Sequence, residues 1–194
     1  MALNKKSKTL VIIGIIVLVI ILLIGSVVKN YNNLVSLNGN VEEKQSVIST
    51  QLQRRNDLIP NLVSTVKGYA KHEADVFKNV TEARSKVMGA DTVKEQAEAS
   101  AELTRELNTL LTFTYENYPQ LQANQNFVAL QDALEGAENR IGQARIDYNE
   151  AVKNYNVKIK KFPTNIFAGV FGFKAYDYFE AEAGAEQVPE VSFE

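Results

Sequence analysis

Hydrophobic and polar positions along this chain follow two different rules. From Leu10 to Val28 every residue is Leu, Val, Ile, Gly or Ser, and none is charged. A helix of that length spans about 28 Å, close to the thickness of a bilayer's hydrocarbon core. Beyond Lys29 the pattern becomes a stripe. Steps of seven from Leu34 give Val41, Ile48, Arg55, Leu62, Tyr69, Val76 and Ala83. Four residues after each member stand Asn38, Gln45, Leu52, Ile59, Val66, Glu73, Val80 and Val87. Most of these are apolar, as in helices packed side by side. Pro60 falls inside the stripe, where proline usually kinks or ends a helix. The phase nonetheless runs through it unchanged, and Asp57-Leu58-Ile59-Pro60-Asn61-Leu62 lacks the Gly-containing polar turn of a hairpin. One long, kinked helix from Lys29 to Met88 is expected.

Gly89-Ala90 ends that helix, and Asp91 is placed to cap the next, from Thr92 to Tyr115, with Leu103, Leu107, Leu110 and Leu111 on one face. It closes before Glu116-Asn117-Tyr118-Pro119, because the residue preceding a proline is pushed out of helical geometry. Phe127, Leu134, Ile141, Tyr148, Tyr155 and Phe162 then recur every seven residues, interleaved with Leu130, Ala137, Ala144 and Ala151. That is a third long helix, ending at Phe162-Pro163. Short loops place successive helices antiparallel. The fold class is all-α: an N-terminal transmembrane helix followed by an up-and-down bundle of long antiparallel helices, three long plus one short C-terminal helix.

The helix lengths do not match. The first helix reaches far beyond the second, so the stripe from Leu34 to Leu52 needs cover from the third helix, the C-terminal segment or another copy of the chain. The C-terminal segment is dense in aromatics, with Phe167, Phe171, Phe173, Tyr176, Tyr178 and Phe179. It is too short and too quickly charged to span a bilayer. It reads either as a short fourth helix capping the core or as an interaction surface. Residues 180–194 carry Glu180, Glu182, Glu186, Glu190 and Glu194 and no base, and are expected to form an acidic, flexible tail.

Charge orients the apolar run. Lys5, Lys6 and Lys8 precede it, and Lys29 alone follows at once. A cleaved signal peptide would have a shorter apolar run and a small-x-small cleavage site, which Gly25-Ser26-Val27 fits poorly. A buried core helix would not be apolar on every face. An uncleaved anchor fits best, with residues 1–9 cytoplasmic, 10–28 spanning the membrane and the bundle, 29–179, on the periplasmic or extracellular side. The chain's net charge of −2 argues against a nucleic-acid binder. With no cysteine, disulfides, thiolate metal sites and cysteine nucleophiles are excluded.

Chemistry is sparse. The single histidine, His72, has Val76 at i+4 rather than the second histidine of a zinc-protease motif. Gly169-Val170-Phe171-Gly172 lacks the Lys-Ser/Thr of a phosphate loop. No metal, cofactor or small-molecule substrate is therefore expected, and no enzymatic activity. The polar residues that interrupt the stripes are the features left. Arg55 stands at an a-type position, and Glu138, Asn139, Arg140 and Arg145 flank Ile141. The simplest reading pairs Arg55 with an acid of a neighbouring helix, such as Glu138, fixing register; the other makes these residues a binding groove.

The run Gln51-Leu52-Gln53-Arg54-Arg55-Asn56-Asp57-Leu58-Ile59-Pro60-Asn61-Leu62-Val63, continuing into Val66-Lys67-Gly68-Tyr69-Ala70-Lys71-His72-Glu73, resembles the central signature of the LemA family. Ala83-Arg84, Glu116-Asn117-Tyr118-Pro119 with Asn126-Phe127, Glu138-Asn139-Arg140-Ile141, Ala144-Arg145, Tyr148-Asn149 and Tyr155-Asn156 match in order. Phe162-Pro163, Phe171-Gly172-Phe173 and the closing Val188-Pro189-Glu190-Val191-Ser192-Phe193 complete a resemblance over residues 30–193. Asn56 departs from it, since many members carry an aromatic there. The resemblance implies a bacterial single-pass membrane protein with an external helical bundle and no established catalytic residues. Its motif polar residues are Arg54, Arg55, Asp57, Asn61, His72, Glu73, Asn117, Glu138, Asn139 and Arg145. Family members keep company with membrane-bound metalloproteases and TPM-domain proteins, and one relative belongs to the magnetosome membrane machinery. The expected role is a non-catalytic interaction or scaffold module that binds another envelope protein or its own copies. An accessory subunit of a membrane protease or quality-control system, and a membrane-remodelling protein, are the alternatives.

Overall fold

The computed structural model describes residues 5–70 and 74–180, with the backbone alone for residues 5–9. Every described element is helical. Helix α1 runs from Lys5 to Lys67, α2 from Ala74 to Met88, α3 from Val93 to Asn117, α4 from Gln125 to Lys160 and α5 from Thr164 to Val170, with a 3-10 turn at Pro119–Ala123. The chain divides into two units, Met1–Glu42 with Ala151–Tyr176, and Glu43–Glu150 with Asp177–Glu194. The all-helical bundle matches the expectation, with the first long helix divided in two. The acidic tail beyond Glu180, and His72 with Glu73, lie outside the described residues.

The apolar run and the stripe are one helix, with no turn at Lys29-Asn30-Tyr31. Pro60 lies inside α1 and does not end it. Proline has no N–H to donate to the carbonyl four residues back, so the Asn56 carbonyl loses its helical partner. Arg84 of α2 replaces it, donating from Nε to the Asn56 carbonyl oxygen at 2.9 Å. A buried orphan carbonyl would carry a desolvation penalty of about 1–3 kcal/mol, which this bond offsets.

The expected single helix from Lys29 to Met88 is corrected at a different residue. The Tyr69 and Ala70 amides both donate to the Val66 carbonyl at 2.9 Å, tightening the last turn, and the helix stops at Lys67. Gly68, a weak helix former, stands at that break, six residues after the stripe residue Leu62. Tyr69, which the heptad phase would place inside, is exposed, and its hydroxyl accepts from Asn124 Nδ2 at 3.1 Å. On α2 the stripe residues Val80, Ala83 and Val87 are buried, while Val76 is half-buried and its neighbour Phe77 takes the inward place instead. Asp91 is not the cap of α3. Thr92 is: its Oγ1 accepts from the Glu95 amide at 3.2 Å, and Glu95 Oε2 accepts from the Thr92 amide at 2.9 Å. Those donors hold the Glu95 carboxyl below the usual carboxylate range, the Thr92 backbone amide most of all.

In the second unit α2 and α3 form a hairpin, and Lys86 in the last turn of α2 binds Glu102 of α3 at 2.7 Å. Leu103, Leu107 and Leu110 of α3 are buried, as are Ile59, Leu62 and Val66 of α1 and Phe127, Leu134, Ile141 and Tyr148 of α4. Within the first unit Leu34 is fully buried in the single chain. Thr164, at the start of α5, donates to Asn30 Oδ1 at 3.2 Å, and Tyr31 stacks edge-on against Phe171 and Phe173. Leu34 is thus covered without a second copy.

Helix α5 ends on Gly172, whose φ of 77° is open to glycine and strained for other residues. The Phe173 amide then reaches back to the Ala168 carbonyl at 2.9 Å, closing a Schellman turn that delivers Phe173 onto Tyr31. After that turn the chain has no regular secondary structure up to Glu180. Its backbone is held by asparagines of α4, each presenting a side-chain amide like a neighbouring peptide group. In the first unit Asn156 donates to the Tyr176 carbonyl at 2.8 Å and accepts from its amide at 3.0 Å. In the second, Asn149 does the same for Phe179 at 2.9 and 2.8 Å.

Candidate functional site: a buried arginine at the meeting of three helices

Among the described residues Arg55 is the largest fully buried side chain, 2 % exposed. The heptad phase of α1 forces it inward, between Leu52 and Ile59, which are buried on either side. Its guanidinium is met by three polar side chains from two other helices. Nη1 donates to Glu138 of α4 in a close ion pair and to Thr104 Oγ1 of α3 at 3.1 Å. Nη2 donates to Ser100 Oγ at 2.9 Å. Arg145 of α4 donates to the same Ser100 oxygen at 2.8 Å, and its guanidinium lies 4.6 Å from the Phe179 ring centroid. Thr104 donates back to the Ser100 carbonyl at 3.0 Å.

This arrangement joins three helices. Both guanidinium groups donate to Ser100 Oγ, so they occupy the lone pairs that a nucleophile would need free. Glu138 answers one positive charge and is 42 % exposed at its side chain, so the network opens to solvent on the α4 side. Among the described residues no group of His, Asp and Glu is placed to hold a metal ion. What the geometry does supply is register. A rigid fork that meets donors' partners on α3 and α4 together fits one relative placement of three helices.

The remaining motif residues are dispersed. Arg54, Asp57, Asn61, Asn117 and Asn139 are exposed, and Asn117 folds back on the Phe113 carbonyl at 3.0 Å. Of the aromatic set, Phe179 is buried, while Phe167, Phe173 and Tyr176 are partly covered. Phe171 and Tyr178 are exposed. The segment is therefore mostly occupied within the chain. Burial pushes the Tyr155 hydroxyl up, as does Tyr176 beside it. Tyr176 is also raised, first by burial and then by the Glu42 carboxylate.

Residues 44–193 match the model of the LemA family. The chain belongs to the LemA family. It is 25 % identical over 195 residues to Magnetosome protein MamQ 2 of Paramagnetospirillum magneticum, covering 88 % of this chain and 72 % of that one. Magnetosome protein MamQ of Magnetospirillum gryphiswaldense is 25 % identical over 206 residues, covering 92 % and 75 %. Protein LemA of Metamycoplasma hominis is 26 % identical over 140 residues, covering 71 % and 63 %. In this LemA-family chain the signature Arg54–Asn61 contains one residue of the network, Arg55, and one structural irregularity, Pro60. Arg84, Ser100, Thr104, Asn149 and Asn156 were not singled out from sequence as site residues. A signal existed for some. A proline in unbroken phase orphans the carbonyl of Asn56 and demands a donor, and Ser100 with Thr104 is a polar i, i+4 pair beside the apolar face of Leu103 and Leu107.

Proposed function

We propose that this protein is a single-pass membrane protein whose helical bundle, outside the cytoplasm, acts as a non-catalytic scaffold that engages another envelope protein. The observation that carries the reading is the state of α1. Its apolar segment has a mean hydropathy of 3.5 and none of that stretch is buried, while the same helix continues into the folded core. A core helix would be covered by the rest of the chain, and this one is bare on every face. Lys5, Lys6 and Lys8 before the segment support an inward N-terminus. Kinship with magnetosome proteins supports membrane association. The buried arginine network supports a structural use of the polar signature.

The chain has no cysteine, so single cysteines report topology cleanly. In intact cells a membrane-impermeant maleimide is expected to label Asn139→Cys and to spare Ser7→Cys until the membrane is opened. The reverse pattern overturns the orientation. A photo-crosslinker at Met88 or Ile146, both exposed, is expected to capture one discrete neighbour in membranes. Absence of any adduct at both positions overturns the scaffold role.

A further inference from the structure

We propose that α5 is a second membrane contact: its exposed apolar face of Ile166 and Val170, with Phe162 just before the helix, seats in the headgroup boundary of the bilayer that α1 crosses. The inference rests on the anchor reading above. Ile166 and Val170 stand at i and i+4 on α5 and share one face, 55 and 77 % exposed, and Phe162, two residues before the helix begins, is 80 % exposed. The opposite side of α5 is used, with Thr164 and Ala168 buried. An isolated apolar residue on a surface needs no explanation, but a stripe with its back already packed has an unfilled partner.

The bilayer is the occupant that the fold brings within reach. Thr164 bonds Asn30, and Phe171 stacks on Tyr31 with ring centroids 5.0 Å apart. The two ends of α5 therefore meet adjacent residues of α1, so α5 crosses α1 instead of running along it. Asn30 and Tyr31 lie two and three residues past Val28, about 3–5 Å at 1.5 Å per residue. The polar layer on each side of the hydrocarbon is roughly 5–8 Å deep, so α5 lies at its level and across the anchor. Helices in that position bury an apolar edge to about 5–10 Å and keep basic residues around it.

The charge agrees. From Ala151 to Tyr176 the chain carries Lys153, Lys158, Lys160, Lys161 and Lys174 and no acid. Lys160 and Lys161 immediately precede Phe162 and are exposed, as is Lys29 on α1. Glu42 is the one acid of this unit, and it receives the Asn38 amide at 2.8 Å. Lysines on flexible stems can lower their apolar portions toward the membrane while their ammonium groups meet lipid phosphates.

The test uses the full-length chain in phosphatidylcholine vesicles with roughly one-third phosphatidylglycerol, to supply the anionic surface that lysines favour. Single cysteines at Ile166, Val170, Leu18 and Ile146 carry an environment-sensitive fluorophore in separate samples. At Ile166 and Val170, quenching by a headgroup-level nitroxide lipid is expected, with iodide quenching several-fold weaker than at Ile146. Adding Lys160→Glu and Lys161→Glu should restore iodide quenching at Val170. Iodide access at Ile166 and Val170 equal to that at Ile146, with Leu18 deep in the hydrocarbon, overturns this inference and leaves the anchor standing. Iodide access at Leu18 as well overturns both. Shielding from iodide without lipid quenching overturns it in favour of a second copy seated on α5.

Discussion

The two units of this chain use charge in opposite ways. Met1–Glu42 and Ala151–Tyr176 contain only lysine as a strong base and only Glu42 as an acid, a formal charge of +8. Glu43–Glu150 and Asp177–Glu194 hold every arginine and carry −10, which together make the chain's −2. In the second unit Arg55, Arg84 and Arg145 point into the protein, where each joins α1 or α4 to another element or segment. In the first, Lys29, Lys160, Lys161 and Lys174 are exposed. Guanidinium is weakly hydrated and offers a rigid fork, so it can be buried and can fix geometry; an ammonium is strongly hydrated and stays outside. Three of the second unit's arginines thus shape it from within, while the first unit displays its lysines.

The contrast can be broken most forcefully at Arg55. Arg55→Ala strands the Glu138 carboxylate, which can still hydrate, and the Ser100 and Thr104 side chains. We expect a loss of about 2–4 kcal/mol in urea unfolding of detergent-solubilised protein. Lys160→Ala, by comparison, should change stability by less than about 0.5 kcal/mol. Equal effects at the two positions would dissolve the distinction between the units.

Asn156→Ala tests whether the lysine-bearing unit has an internal polar device of its own. It removes both hydrogen bonds to the Tyr176 backbone and should destabilise by about 1–3 kcal/mol. Hydrogen exchange should accelerate at Tyr176 more than at Phe179, which Asn149 holds. Unchanged exchange at Tyr176 would show that the clamp contributes nothing.

Arg84 is expected to matter because of Pro60. Arg84→Ala should lose about 1–2 kcal/mol in the natural chain and much less in a Pro60→Ala background, where the new amide can bond the Asn56 carbonyl. Additive effects in that double-mutant cycle would remove the carbonyl-rescue role and leave Arg84 as an ordinary surface-edge cation.

The smallest effect is alkaline. Tyr155 and Tyr176 have hydroxyls raised above the ordinary 10.0, so the folded state holds their protons more tightly than the unfolded chain. Their contribution is complete below about pH 10 and is lost as pH rises through the raised folded values. Spectrophotometric titration should show Tyr155→Phe and Tyr176→Phe each removing a tyrosine that ionises above the ordinary range, with unfolding moving closer in the same range.

Much of this architecture was legible in the residues. The apolar run, α3, α4 and the burial of Leu34, Ile48, Ile59, Phe127 and Ile141 follow from periodicity, because which face of a helix a residue occupies is a local property of 3.6 residues per turn. The pairing of Arg55 with Glu138 could be anticipated as a candidate, since a buried cation needs an acid and few were suitably placed. The end of the first helix could not be read in the same way. Heptad phase persists through Gly68 into α2, so spacing alone does not distinguish one helix from two in register. Nor could the second half of the aromatic segment be assigned, since helix propensity says nothing about an irregular chain clamped by Asn149 and Asn156.

Sequence by itself therefore determined the helices, their inward faces and the bare apolar segment, all of which depend on neighbours within a turn or two. Tertiary structure decided which polar groups meet: Arg55 with Ser100 and Glu138, Arg84 with the carbonyl that Pro60 leaves open, Asn156 with Tyr176, Thr164 with Asn30. Those partners are 20 to 134 residues apart. Their hydrogen bonds require heavy atoms within about 3 Å and aligned, a condition that only the packed chain can satisfy.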